Sequence, residues 1–314
     1  MTRGQALAYF LPKDGLGESG KTEAREALAA YSQAIRLRPD YAEAYNNRGN
    51  VLSNLGQYEE AVADYDRAIY LKADLADAYI NRGNAKAALY QYQEAIDDLG
   101  RAIQLRPDDA FAFLNRGLLM VDSSRHEDAI SDFDEAVHLQ PDDSKIYFLR
   151  GGAKAELDRY QDALADYSEA IRLNPEFAEA YNSRGLAQVA LGQYEAAIAD
   201  YTQSVRLQPE YAAAYNNRGV AQAKLGRISA AVGDYDEAIR LQPESAEPFY
   251  NRGNAKERRG DYEEAIADYD QAILRRSDDL DAYKNRAVTK AVLGRTAEAR
   301  ADFEAALKIA AGGR

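Results

Sequence analysis

The chain repeats itself every 34 residues, eight times without an insertion, from Ala42 to Gly313. The units are 42–75, 76–109, 110–143, 144–177, 178–211, 212–245, 246–279 and 280–313. A period this short leaves no room for one central core, so each unit must bury its apolar stripe against its neighbours. Within the unit, position 20 is alanine throughout: Ala61, Ala95, Ala129, Ala163, Ala197, Ala231, Ala265 and Ala299. Position 4 is always aromatic, from Tyr45 to Tyr283, and position 8 is glycine in seven units, with Ala287 the exception. Position 24 is a second ring except at Leu99, and position 27 is small in every unit. Proline closes five units at position 32, from Pro107 to Pro243. Small residues opposite rings, at helical spacing, describe two helices packed closely together.

These landmarks and their period resemble the tetratricopeptide repeat (TPR). The resemblance implies an all-α chain, a right-handed α-solenoid superhelix of antiparallel helix pairs, and a non-enzymatic role in protein–protein interaction. Ahead of the repeats, Ala27, Tyr31, Ala34 and Pro39 fit the end of a ninth unit, so residues 23–41 read as a partial repeat with a helix from Glu23 to Arg38. Residues 1–22 read as a degenerate, glycine-containing lead-in. They include Gly15, Gly20, Lys21 and Thr22 in the spacing of a phosphate-binding P-loop, the alternative being a glycine-rich lead-in alone. The rest of a nucleotide-binding domain has no counterpart downstream, so neither cofactor nor metal is expected.

A net charge of −13 argues against nucleic acid or an anionic membrane as partner, because both need clustered Lys and Arg. The absence of cysteine fits a reducing compartment and rules out thiol catalysis. The expectation is a soluble, cytoplasmic protein.

Two columns carry charge without exception. Position 7 is Arg48, Arg82, Arg116, Arg150, Arg184, Arg218, Arg252 and Arg286; position 23 is Asp64, Asp98, Asp132, Asp166, Asp200, Asp234, Asp268 and Asp302. Antiparallel helices bring positions that sum to about 31 to the same level, so each arginine should bridge the aspartate of its own repeat.

If the usual concave surface of the family is kept, first-helix positions 2, 5, 6, 9, 12 and 13 line a groove. Position 6 supplies an amide ladder, Asn47, Asn81, Asn115, Asn217, Asn251 and Asn285, whose side chains can both donate to and accept from the backbone of an extended peptide. Ile80, Phe111, Leu114, Leu118, Val121, Phe148 and Leu149 make its middle apolar. Carboxylates at position 2, including Glu43, Asp77 and Glu179, favour a basic ligand. The expected partner is a protein or peptide, neutral to basic, with an apolar anchor; a self-associating assembly module is the other non-enzymatic reading.

Overall fold

The computed structural model describes residues 18–312, which form seventeen helices with no strand among them. A single helix, α1 (Glu18–Leu37), precedes eight pairs. The pairs are α2 (Ala42–Asn54) with α3 (Tyr58–Leu71), α4 (Ala76–Ala88) with α5 (Tyr92–Leu105), α6 (Ala110–Asp122) with α7 (His126–Leu139), and α8 (Ser144–Ala155) with α9 (Tyr160–Leu173). There follow α10 (Ala178–Ala190) with α11 (Tyr194–Leu207), α12 (Ala212–Lys224) with α13 (Ile228–Leu241), α14 (Ala246–Arg259) with α15 (Tyr262–Arg275), and α16 (Leu280–Val292) with α17 (Thr296–Gly312). Contacts divide the chain into two compact units, the first ending at Leu173 and the second starting at Asn174. In each unit every helix packs on the one before and the one after it in sequence, as stacked pairs require.

Every first helix starts at repeat position 1 and every second helix at position 17. Between them the chain turns through a left-handed residue at position 15, which is Gly56, Gly192, Gly226, Gly260 or Gly294 in five units. Tyr90, Ser124 and Asp158 hold the same turn in the remaining three, with φ near 60°. Second helices of the first seven units stop at position 30, two residues before the proline column, whose ring cannot continue a helix, while α17 runs on to Gly312. Asp109, Asp143 and Asp279 cap the following first helix by accepting from its backbone amides.

Helix α1 begins five residues before the expected Glu23, because Glu18-Ser19 and Lys21 to Arg25 outweigh the single glycine between them. Gly20, Lys21 and Thr22 therefore lie in this helix, while Gly15 lies outside the described residues.

The core of each pair is the contact of glycine 8 with ring 24. A β-carbon built at Gly49, Gly117, Gly185, Gly219 or Gly253 would come within 2.6–2.7 Å of the facing ring. All eight position-20 alanines are buried beside that contact. In the eighth repeat Ala287 replaces the glycine, and Phe303 stays 42% exposed. Gly219→Ala should accordingly cost about 1–3 kcal/mol by overpacking against Tyr235, more than offsetting the roughly 1 kcal/mol gained in helix propensity. Urea unfolding would check it; a stabilised variant would show that ring and helix separate freely.

Candidate functional site

Position 7 sits at the middle of each first helix and faces the second helix of its own repeat. All eight arginines grip their aspartates side-on, Nε to one carboxylate oxygen and Nη2 to the other, at 2.5–3.0 Å. The fork matches the carboxylate's plane, which a lysine could not do. The aspartates are buried, so these are enclosed pairs and not surface decoration. Each guanidinium also stands 5.2–5.9 Å from the position-4 ring of its own helix.

A third contact was not expected from the sequence. The remaining nitrogen, Nη1, reaches back to position 25 of the preceding repeat. Arg82 meets Asp66, Arg150 meets Asp134, Arg252 meets Asp236 and Arg286 meets Asp270, all at 2.5–2.6 Å. Arg48 and Arg218 find hydroxyls instead, Ser32 and Thr202, at 3.2 Å. One side chain thus closes its own helix pair and fastens it to its predecessor. Position 11 adds a further cation in four repeats, where Lys86, Lys154, Lys256 and Lys290 bond the same aspartate at 2.7–2.9 Å.

The amide column is bound into the seam between repeats. Asn81, Asn217 and Asn251 each donate to the position-5 asparagine of the repeat before, Asn46, Asn182 and Asn216, at 3.0 Å. Asn285 donates to Tyr250 and Asn254, and Asn47 accepts from Asn46. Asn115 meets Ile80 where its sisters meet asparagine, turns to Asn84 at 3.3 Å, and is fully buried with an unpartnered carbonyl oxygen. The ladder read from sequence is thus partly turned inward: Asn81, Asn115, Asn217 and Asn251 each spend one donor within the protein, and Asn285 donates to two partners.

The apolar middle is corrected in the same way. Ile80, Leu114, Leu118 and Val121 are buried in one core cluster spanning the second to fourth repeats, with Leu149 packed against it. Leu149 occupies position 6 and Leu114 position 5, so an apolar contact stands where an amide pair stands elsewhere. Phe148 is partly buried and leans on Tyr167, ring centroids 5.9 Å apart. Of this group only Phe111, at repeat position 2, is exposed, at 48%. The position-2 carboxylates are partly spent as well: Glu43 takes Lys72 at 2.8 Å, which holds its carboxyl below the ordinary value, and Asp77 takes Arg106 at 2.6 Å. Among the described residues no group of three or more His, Asp or Glu is placed to hold a metal ion, and no helix is long and apolar enough to cross a membrane.

Two outcomes follow from the forks. Asp234→Ala leaves Arg218 enclosed with only Thr202, and should cost about 3 kcal/mol, whereas Arg218→Leu with Asp234→Leu should recover much of that. A loss below about 0.5 kcal/mol in urea unfolding would assign the pair the small value of an exposed one. The forks also differ in acid. Burial pushes Asp302 up, but its bonds to Arg286 and Lys290 prevail and hold it below the ordinary carboxylate value. At Asp132 burial, with Asp128 adding to it, prevails over Arg116 and the lesser pull of Arg125, and the carboxyl is raised. A depressed group stabilises the fold above its unfolded pKa and loses that stability as pH falls through the folded value; a raised group favours the fold as it takes up its proton. An NMR titration should find Asp302 titrating below Asp132, and the reverse order would remove the role given to Lys290.

Models of the tetratricopeptide repeat match residues 42–74, 212–245 and 250–314, and a TPR repeat model matches 20–56, 83–123, 151–192 and 185–226. No curated protein matches. The solved structure of YrrB, described as a TPR protein with an unusual peptide-binding site, is 26% identical with a TM-score of 0.54, over 59% of this chain and 95% of its own. A crystal structure of MamA is 25% identical with a TM-score of 0.50, over 51% of this chain and 94% of its own. A tetratricopeptide repeat protein from Parabacteroides merdae shares the fold at 17% identity, with a TM-score of 0.60 over 79% of this chain and 98% of its own. With matches running from residue 20 to residue 314 and helix pairs in every unit, the chain belongs to the tetratricopeptide repeat family.

Proposed function

We propose that this protein is a non-enzymatic scaffold that binds an extended peptide or a partner helix against its first helices. Repeats of this family serve protein–protein interaction, and the YrrB structure is described as having a peptide-binding site. The observation that carries the reading is Phe111. Its apolar neighbours on α6 are buried, yet this ring, at a groove position, is about half exposed. Desolvating one aromatic side chain is the kind of contact from which interfaces draw most of their energy. Phe148 and Leu149 on α8 keep partial exposure and extend the anchor.

In each unit the amides contribute as acceptors, since the Oδ1 atoms of Asn81, Asn217 and Asn251 meet no donor among the described residues and can take a ligand N–H. The partner is neutral to basic with an apolar anchor. With Glu43, Asp77 and Asp281 each facing a cation of the chain, the charge preference rests on Glu179 and Glu247 of the second unit and is correspondingly small.

Selection of binders from a random peptide library by the folded chain tests this. Selected peptides should carry an apolar residue whose contribution falls by about 2 kcal/mol in Phe111→Ala. Binders indifferent to Phe111, Phe148 and Asn81 substitutions would move the site off this face. A second reading, self-association, is favoured by one feature of the eighth repeat: an apolar cavity of about 570 Å³ lined by Leu280, Val288, Phe303 and Leu307. A molecular mass in light scattering that rises with concentration, and stops doing so in Leu307→Asp, would support it over peptide binding.

A further inference from the structure

Column 11 and column 25 of the preceding repeat change together. Where the preceding position 25 is Asp66, Asp134, Asp236 or Asp270, position 11 is Lys86, Lys154, Lys256 or Lys290. Where it is Ser32, Gly100, Ser168 or Thr202, position 11 is Leu52, Met120, Gln188 or Gln222. These residues lie at opposite ends of one line of bonds: aspartate 25, arginine 7, aspartate 23, lysine 11. The line is either four alternating charges or two, and its members sum to zero in both forms. A third form, with one outer charge and not the other, occurs nowhere in the chain.

The reason is the low polarity of the seam. The arginines of the four-charge lines are 14–18% exposed at the side chain, their lysines 10–17% and the inner aspartates 4–7%, while the outer aspartates, at 51–57%, stand at the rim of the seam. An unmatched cation among the enclosed members is costly, because attraction and desolvation are both amplified away from water. In the seventh and eighth repeats Glu264 and Glu298 also lie near the ammonium, but at 3.4 and 3.9 Å they are looser than the 2.5–2.6 Å contacts of the outer aspartates. The contrast between Asp302, lowered beside Lys290, and Asp132, raised opposite Met120, agrees with the same balance.

We infer that aspartate 25 and lysine 11 are one compensating device, split between neighbouring repeats, that sets how stiffly each junction is held. In the first unit it fastens α3 to α4 and α7 to α8, while the junction of α5 with α6 is held by the apolar cluster instead. In the second unit it fastens α13 to α14 and α15 to α16. The junction of α11 with α12 has neither. Its cluster is small, Arg218 meets only a hydroxyl, and Tyr201 and Gln222 leave a buried hydroxyl and a buried carbonyl without partners. This is the compliant joint of the second unit, where the first-helix face can open or close on an occupant.

Installing the device there tests the inference on the full chain. Thr202→Asp alone and Gln222→Lys alone should leave amide hydrogen exchange in α11 and α12 unchanged or faster. Together they should slow it by about tenfold beyond the product of the single effects, with the gain shrinking at high salt. Removal gives the converse at the next junction: Asp236→Ser with Lys256→Gln should disturb exchange less than either single change. Additive effects in both cycles would overturn the inference, as would a single Thr202→Asp that gives the whole gain.

Discussion

A guanidinium can satisfy three directions at once, and Arg48, Arg82, Arg150, Arg218, Arg252 and Arg286 use that capacity in full. Two nitrogens close the helix pair, the third turns to the preceding pair, and the flat face rests by an aromatic ring. Each of these contacts removes charge or apolar surface from water, and each is available because position 7 points into the angle between two second helices. Without the fork, a buried aspartate would stand unpaired in every pair, in six of them beside a ring already in contact with glycine. That accounts for the strictness of both columns. The fork neutralises the polar groups that the close approach of the two helices encloses, and it forms in the eighth repeat as well, where Ala287 replaces the glycine.

Much of this was legible in the sequence, and the limits are physical. Period, helix pairs and the level pairing of Arg48 with Asp64, or Arg286 with Asp302, follow from spacing within one unit, where an antiparallel hairpin leaves little freedom. What spacing inside a unit does not disclose is how far one unit is rotated on the next. Positions 5, 6 and 9 lie where a first helix leaves its neighbour and enters the groove, so a small rotation decides whether Asn81 addresses a ligand or Asn46. The same ambiguity hid the burial of Leu114 and Leu118, which read as a groove lining and serve as a seam. Phe111, three residues earlier on α6, lies on the other side of that boundary. The link between columns 25 and 11 was present in the sequence, but only in comparison across unit borders.

Asn115 shows what happens when the two kinds of seam meet. Its neighbours use either amide to amide or apolar to apolar; facing Ile80, it has one of each, and its carbonyl is left without a donor in a fully buried place. A mismatch of this kind is tolerated once, inside the largest apolar cluster of the chain, where packing offsets it.

The device that spans the seams also redefines the chain's modular unit. Duplication or exchange of a repeat is natural to such arrays, because contacts reach only the nearest neighbours. A cut at the helix-pair border, between positions 34 and 1, separates Asp66 from Lys86 and Asp236 from Lys256. The segment that can be moved whole begins instead within the turn after a first helix, carries its second helix, and ends with the first helix of the next pair. Recombination between Gly226 and Gly260 would exchange a neutral block, whereas recombination between Ala212 and Ala246 would part the enclosed Lys256 from the half-exposed Asp236 that balances it.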